Sequence, residues 1–159
     1  MSLIRPAQSH EHERLSTIAR RSKAYWGYSP GFMAACQAEL TYTAAEIDKG
    51  HFFVALERKN PEIIVGFSAI TPLNSHQFEL EAMFVEPQYM GQGYGRSLLE
   101  HAKQTVKRLA ATALIIQADP HAVPFYRRMG GQRVGERESE SIPGRFLPIL
   151  SIQLPARHS

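Results

Sequence analysis

The run Phe84-Val85-Glu86-Pro87-Gln88-Tyr89-Met90-Gly91-Gln92-Gly93-Tyr94-Gly95-Arg96-Ser97-Leu98-Leu99 decides how the chain is read. A strand-like stretch ends at Val85, Pro87 closes it, and three glycines alternate. A helix then opens with Leu98, Leu99, Ala102, Val106, Leu109 and Ala110 on one stripe. Alternate glycines let the backbone bend tightly and let a ligand approach its N–H groups. The helix start adds unpaired donors and about half a positive charge. Together they make an anion site suited to a pyrophosphate, to which Arg96 and Ser97 add a charge and a hydroxyl. Two familiar phosphate loops fit poorly. A P-loop wants a wider glycine gap and a lysine, where this chain has Arg96. A Rossmann loop wants G-x-G-x-x-G and an acid on the next strand, which Ala113–Gln117 lacks. A glycine turn with no ligand is the plain alternative, and it would carry the stability cost of glycine for nothing.

Working outward, three strand-like runs precede the loop, at residues 52–56, 63–70 and 78–85. The links Lys59-Asn60-Pro61-Glu62 and Pro72-Leu73-Asn74-Ser75 are short, which implies an antiparallel meander. Beyond the loop, residues 113–117 read as a buried strand. Asp119-Pro120 starts a helix, with Asp119 as N-cap and Val123, Tyr126 and Met129 on its apolar side. Gly130-Gly131 stop it, and residues 132–136 and 145–154 follow as strands. Pro148 argues that the last strand is an edge or carries a bulge. Toward the N-terminus, Leu3-Ile4-Arg5 opens as a strand. Ser9 caps a helix with Leu15, Ile18, Ala19 and Ser22 at helical spacing, ending near Trp26-Gly27. Ser29-Pro30 starts a second helix, with Phe32, Cys36 and Leu40 on one face, and residues 41–50 read as a polar stretch. With no repeat or linker, residues 1–159 are expected to form one domain, a mixed α/β sheet with helices on both faces.

Composition narrows the function classes. Hydrophobic residues make up 43% and charged residues 21% of 159, an ordinary globular mix. A net charge of +3 fits an anionic ligand and is too weak to argue for nucleic acid. Lys103, Lys107 and Arg108, and Arg127-Arg128, read as solvated faces. The lone cysteine, Cys36, excludes an intrachain disulfide, which makes a reducing, cytoplasmic compartment the expectation. Its place beside Phe32 and Leu40 suits a buried apolar role rather than a nucleophile. Residues 1–6 do not read as a signal peptide, and no apolar run approaches the roughly 20 residues of a membrane span. The seven histidines show no metal spacing, and His10-Glu11-His12 lacks the H-E-x-x-H pattern, so no metal is expected.

The stretch Val85-Glu86-Pro87-Gln88-Tyr89-Met90-Gly91-Gln92-Gly93-Tyr94-Gly95 resembles the acyl-CoA loop of the GNAT superfamily, Val-x-Pro-x-Tyr-(Arg or Gln)-Gly-x-Gly-x-Gly. Downstream, Ala118 through Gly130 resembles the family's later helix, with its Phe-Tyr-x-x-x-Gly ending at Phe125-Tyr126. The two motifs lie in the right order, and the resemblance covers roughly residues 50–138. It implies a GNAT-type fold, a mixed, largely antiparallel central sheet flanked by helices on both faces. It implies acetyl-CoA as co-substrate, and an N-acetyltransferase in which a primary amine attacks directly, without an acyl-enzyme. By that resemblance the cofactor side comprises Met83, Phe84, Val85, Met90, Gly91, Gln92, Gly93, Tyr94, Gly95, Arg96, Ser97, Asp119, His121 and Phe125. Met90 departs from the family's Arg or Gln, which removes one side-chain donor and leaves the backbone donors. Gly131 replaces a common Phe, and Asp119 and His121 stand where Asn is frequent. Homodimers are common in the superfamily, and the strand with Pro148 is a candidate contact.

Acetylating an amine makes three demands. The amine, with a pKa of about 10, must lose a proton, the thioester oxygen needs a donor, and the thiolate needs a proton. Glu79 and Glu81 are the base candidates. Strand alternation puts them on one face, with Leu80, Ala82 and Phe84 on the other. Two carboxylates on one face oppose each other's ionisation, which suits a base. The resemblance ranks Glu79 first, while a solvated polar face is the competing reading. It also assigns the oxyanion donor to a backbone N–H near residues 83–85, and the acid to Tyr126, otherwise a half-buried helix aromatic. The resemblance assigns the acceptor site to the first helices and last strands. There Trp26 and Tyr28 line a pocket or close a core, and Arg145 holds an acidic substrate group or pairs with Glu136, Glu138 or Glu140. A non-catalytic acyl-CoA sensor, or an acyltransferase acting on RNA-linked or protein amines, stands as the alternative.

Overall fold

The computed structural model describes residues 3–155, so Met1 and Ser2 of the N-terminal reading lie outside it. Strands β2 (His51–Leu56), β3 (Ile64–Pro72) and β4 (Gln77–Val85) form the antiparallel meander that the short links require. Asn74 tightens the second link: its side-chain oxygen accepts from the N–H groups of His76 and Gln77 at 2.8 and 2.9 Å. Strand β1 (Leu3–Pro6) pairs antiparallel with β2. Strand β5 (Ala113–Gln117) lies parallel to β4, then β7 (Phe146–Gln153) and β6 (Gly131–Glu138) follow antiparallel. The sheet order is β1-β2-β3-β4-β5-β7-β6.

Helices cover both faces. On one, Leu15 and Ile18 of α1 (His12–Ala24) pack with Val54, Phe67, Ala69 and Ala82. On the other, Leu98, Leu99, Ala102 and Val106 of α4 (Tyr94–Arg108) pack with Ala55, Val65, Ile70 and Leu80. Each fully buried aliphatic side chain contributes about 1.5–3 kcal/mol. The last helix, α5 (Val123–Arg128), adds Tyr126 to this second core.

Several local readings change. Ser9 does not cap α1, because a 3-10 turn at Ser9–Glu11 comes first, and Glu11 accepts from the Gln8 N–H at 2.8 Å. Ser29 does cap α2 (Pro30–Ala35), but that helix stops before Cys36 and Leu40. The polar stretch holds a short helix, α3 (Ala44–Lys49), opened by Thr43 and Glu46, each capping the other's backbone N–H. Helix α4 ends at Arg108, leaving Leu109 exposed and Ala110 in the left-handed region at φ 67°. Pro148 does not mark an edge. Strand β7 is interior; Pro148 opposes Glu136, its carbonyl accepts from the Ala118 N–H at 3.0 Å, and the irregularity falls in β6, between Arg133 and Gly135. The strand with Pro148 is therefore not a free edge for a second subunit.

The largest departure sits in β4. Leu80 pairs with Ile70 and Ala82 with Ala69, so Glu81 is an extra residue, a bulge. The bulge resets the alternation: Leu80 joins the α4-side core, while Ala82 and Phe84 pack on the α1 side. The three therefore do not share one face.

Candidate active site

Strands β4 and β5 pair over Gln77–Glu79 and Ala113–Ile115 and then part. The bulge at Glu81 bends β4 just where pairing stops. Beyond it, alternate N–H groups on the β5 side of β4 have no strand partner among the described residues. A cleft of about 800 Å³ fills the gap, lined by Met83, Phe84 and Val85 on one side and Ile116 and Gln117 on the other.

One end of the cleft is the glycine loop. Gly91 and Gly93 have φ of +77° and +91°, conformations that L side chains rarely adopt. Gly93 is the N-cap of α4, and no side chain caps that helix, so its first N–H groups are left for a ligand. Met90, Gly91, Gly93, Gly95 and Arg96 line the cleft. Gln92, Tyr94 and Ser97 do not. Tyr94 is buried beneath the loop.

The residues that shape this loop were not legible as site residues. The Arg58 backbone N–H donates to the Tyr94 hydroxyl at 3.1 Å, its guanidinium donates to the Gln92 carbonyl at 2.8 Å, and it lies 4.5 Å from the Tyr94 ring centre. Next to it, Glu57 accepts from the Tyr89 hydroxyl. Both sit just after β2, far in sequence from the motif. Glu86, inside the motif, is 2% exposed. Arg14 lies 2.8 Å from its Oε2, and Arg21 Nε lies 2.9 Å from Oε1, off the line a hydrogen bond needs. The motif's variable position is thus a buried anchor for α1.

Tyr126 lines the cleft, is 6% exposed, and its hydroxyl makes no hydrogen bond among the described residues. Burial, then the Asp119 charge, push its pKa well above the usual tyrosine value, so it stays a donor. Phe125 packs near Gly95 in the same wall. Glu79 and Glu81 both line the cleft but take different partners. Arg137 reaches Glu79 at 3.3 Å and also Gln117 at 3.3 Å, while the Thr71 hydroxyl donates to Glu81 at 2.9 Å.

Asp119 gathers residues read separately as cofactor and acceptor groups. Its carboxylate accepts from Lys23 at 2.8 Å, the Tyr28 hydroxyl at 2.7 Å and the His121 N–H at 2.9 Å. Arg145 donates to the Tyr28 oxygen at 2.9 Å and lies 3.6 Å from Asp119. Trp26 stacks on His121 at 4.8 Å, and Tyr28 on Phe32 at 4.1 Å. Trp26, His121, Asp119 and Arg145 line the cleft, while Tyr28 does not. Arg145 thus pairs with none of Glu136, Glu138 and Glu140. Burial would raise the Asp119 pKa, but the Lys23 ammonium and the Tyr28 hydroxyl outweigh it and hold the carboxyl far below its usual range. Burial and Asp119 push Tyr28 up to about 12.

A family model, the acetyltransferase (GNAT) domain, matches residues 31–143. The chain belongs to the GNAT family. The peptidyl-lysine N-acetyltransferase YjaB of Salmonella typhimurium is 30% identical over 154 residues, 96% of this chain and 97% of the relative. A GCN5-related N-acetyltransferase from Rhodopseudomonas palustris superposes with a TM-score of 0.77 at 18% identity, covering 97% of this chain and 96% of that one. The PaiA N-acetyltransferase from Thermoplasma acidophilum, solved with coenzyme A, gives 0.74 at 16% identity, covering 96% and 99%. The chain is accordingly a GNAT acyltransferase, and the parted β4–β5 pair beside the glycine loop is where its GNAT fold opens. No helix among the described residues is long and apolar enough to cross a membrane.

Proposed function

We propose that this chain moves an acetyl group from acetyl-CoA to a primary amine by direct attack. The observation that carries the reading is the cleft itself: an unpaired β4 edge and an uncapped helix start at the glycine loop, with the unpartnered Tyr126 hydroxyl in the same wall. The residues fit the ligand: Gly91, Gly93 and Gly95 with the first α4 amides and Arg96 suit a pyrophosphate, and Met83, Phe84 and Val85 offer backbone donors to an extended arm. Coenzyme A in the Thermoplasma neighbour supports that fit.

Acetyl-CoA supplies the acyl group as a thioester. The nitrogen–carbon bond forms as the carbon–sulfur bond breaks. The amine's proton leaves to Glu79 or Glu81, directly or through water, and the sulfur receives a proton from Tyr126. A backbone N–H of residues 83–85 would donate to the thioester oxygen. Glu79 remains first choice for the base by the resemblance, with Arg137 3.3 Å from it. The lysine-directed relative makes a lysine side chain the first acceptor to try. We take residues 1–159 as one domain working in a reducing, cytoplasmic compartment, where the buried thiol of Cys36 would persist.

Calorimetry with acetyl-CoA and free CoA, followed by CoA release across an amine panel, tests this reading. Binding with turnover supports it. A folded protein that binds no acetyl-CoA refutes it. Binding without turnover on any amine favours an acyl-CoA sensor, a reading to which Met90 lends some weight, since it lines the cleft where the family commonly has a polar donor.

A further inference from the structure

The part of the cleft wall supplied by the α2–α3 segment and β4 is acidic: Glu39, Glu46, Glu79 and Glu81 all line it. Glu79 is matched by Arg137. Glu39, Glu46 and Glu81 form no ion pair among the described residues. Their own contacts are local and uncharged. Glu46 accepts from the Thr43 N–H and hydroxyl at 3.2 and 3.1 Å, and Glu81 from the Thr71 hydroxyl at 2.9 Å. Lys23 and Arg145, which line the same cleft, are committed to Asp119.

A second observation points the same way. Tyr42 is 7% exposed and lines the same cleft, yet its hydroxyl makes no hydrogen bond among the described residues. Burial first, then the charges of Glu81, Glu39 and Glu46, push its pKa well above the ordinary value. The Tyr42 side chain and the three carboxylates thus line one cleft, and the hydroxyl is left unpartnered in it. Carboxylates that line one cleft without a counter-charge favour a cation placed among them.

Resting on the acetyltransferase reading above, with Glu79 as the base, we propose that the acceptor carries a second cationic group beside the amine to be acetylated, held by Glu39, Glu46 and Glu81 with the Tyr42 oxygen as acceptor. Arg145, the residue that would have recruited an acidic acceptor, is already engaged by Tyr28 and Asp119. A second ammonium also helps the chemistry. Its positive charge lowers the pKa of the neighbouring amine and eases the proton loss that attack requires. An aliphatic diamine and a lysine residue beside another basic residue share this chemistry.

Cadaverine, hexylamine and ε-aminocaproate carry one primary amine on the same aliphatic spacer, ending in an ammonium, a methyl and a carboxylate. Several partly exposed ion contacts together predict kcat/KM about tenfold higher for cadaverine than for hexylamine, with ε-aminocaproate lower still. In the Glu39→Gln/Glu46→Gln double variant, where glutamine at position 46 retains a capping acceptor, the cadaverine-to-hexylamine ratio falls toward one. Lysine peptides with arginine or alanine beside the lysine separate the two sources of the second charge. Equal rates for cadaverine and hexylamine, or preference for ε-aminocaproate, would overturn the proposal while CoA release kept the transferase reading intact. If no amine releases CoA, the transferase reading fails by itself. Calorimetry on the CoA-loaded protein then decides the subsite: tighter cadaverine than hexylamine binding upholds it, and equal binding overturns it.

Discussion

Tyr126 holds its proton because it is buried and because Asp119 places a negative charge nearby. Tyr126→Phe should lower kcat by about 10²–10⁴, the usual weight of a positioned acid, with little change in acetyl-CoA affinity. Stopped-flow turnover beside calorimetry separates the two. Since the acid form is the working form and its pKa is raised, the alkaline fall in kcat should not begin until above about pH 10, the free tyrosine value. Asp119 gives a stability prediction with the opposite sign. Its folded pKa lies below the ordinary carboxyl value, so its contribution is present above about pH 4 and lost as pH falls below that. Asp119→Asn should therefore melt at a lower temperature than the parent at pH 7, and the gap should narrow steadily in acid. The acid role of Tyr126 came with the resemblance, but the hub role of Asp119 was not written in the sequence. Asp119 reads there as a helix cap, which it is, and its contacts with Lys23, Tyr28 and Arg145 join positions about a hundred residues or less apart only through the fold.

At the scale of elements, the glycine loop is held from below by the end of β2. Arg58→Ala removes the donor to Gln92 and the cation over Tyr94. The expected result is KM for acetyl-CoA raised by about tenfold with kcat nearly kept, since the loop then costs more to order on binding. Gly93→Ala places a side chain at positive φ, 3.3 Å from Arg58, and should cost about 1–2 kcal/mol. Thermal denaturation would show that as a drop of about 2–4 °C per kcal/mol. Strands, the loop and α4 were legible because period, proline and glycine all speak there. Helix α3 was within reach, since Thr43 and Glu46 spell a capping box ahead of Ile47. The Glu81 bulge was not, because alternation in one strand says nothing about its partner's register. Pro148 misled for a similar reason: its missing N–H costs little when its carbonyl still bonds Ala118.

Across the whole molecule, Glu86 ties α1 to the end of β4, the strand that carries one wall of the cleft. Glu86→Ala strands two arginines, but both reach water. The loss should fall at or below the low end of the about 3–5 kcal/mol expected for a fully buried pair, read from urea unfolding. A motif residue that composition marks as surface thus belongs to the core, and only the packing of α1 reveals it. The parting of β4 from β5 has its own signature in time. Amides of β4 facing β5 are bonded up to Glu79 and open beyond it, so one strand holds two populations of protons. Deuterium should enter the open amides of residues 82–85 early and those near 77–79 late. A ligand laid along that edge would slow the first set and leave the second unchanged.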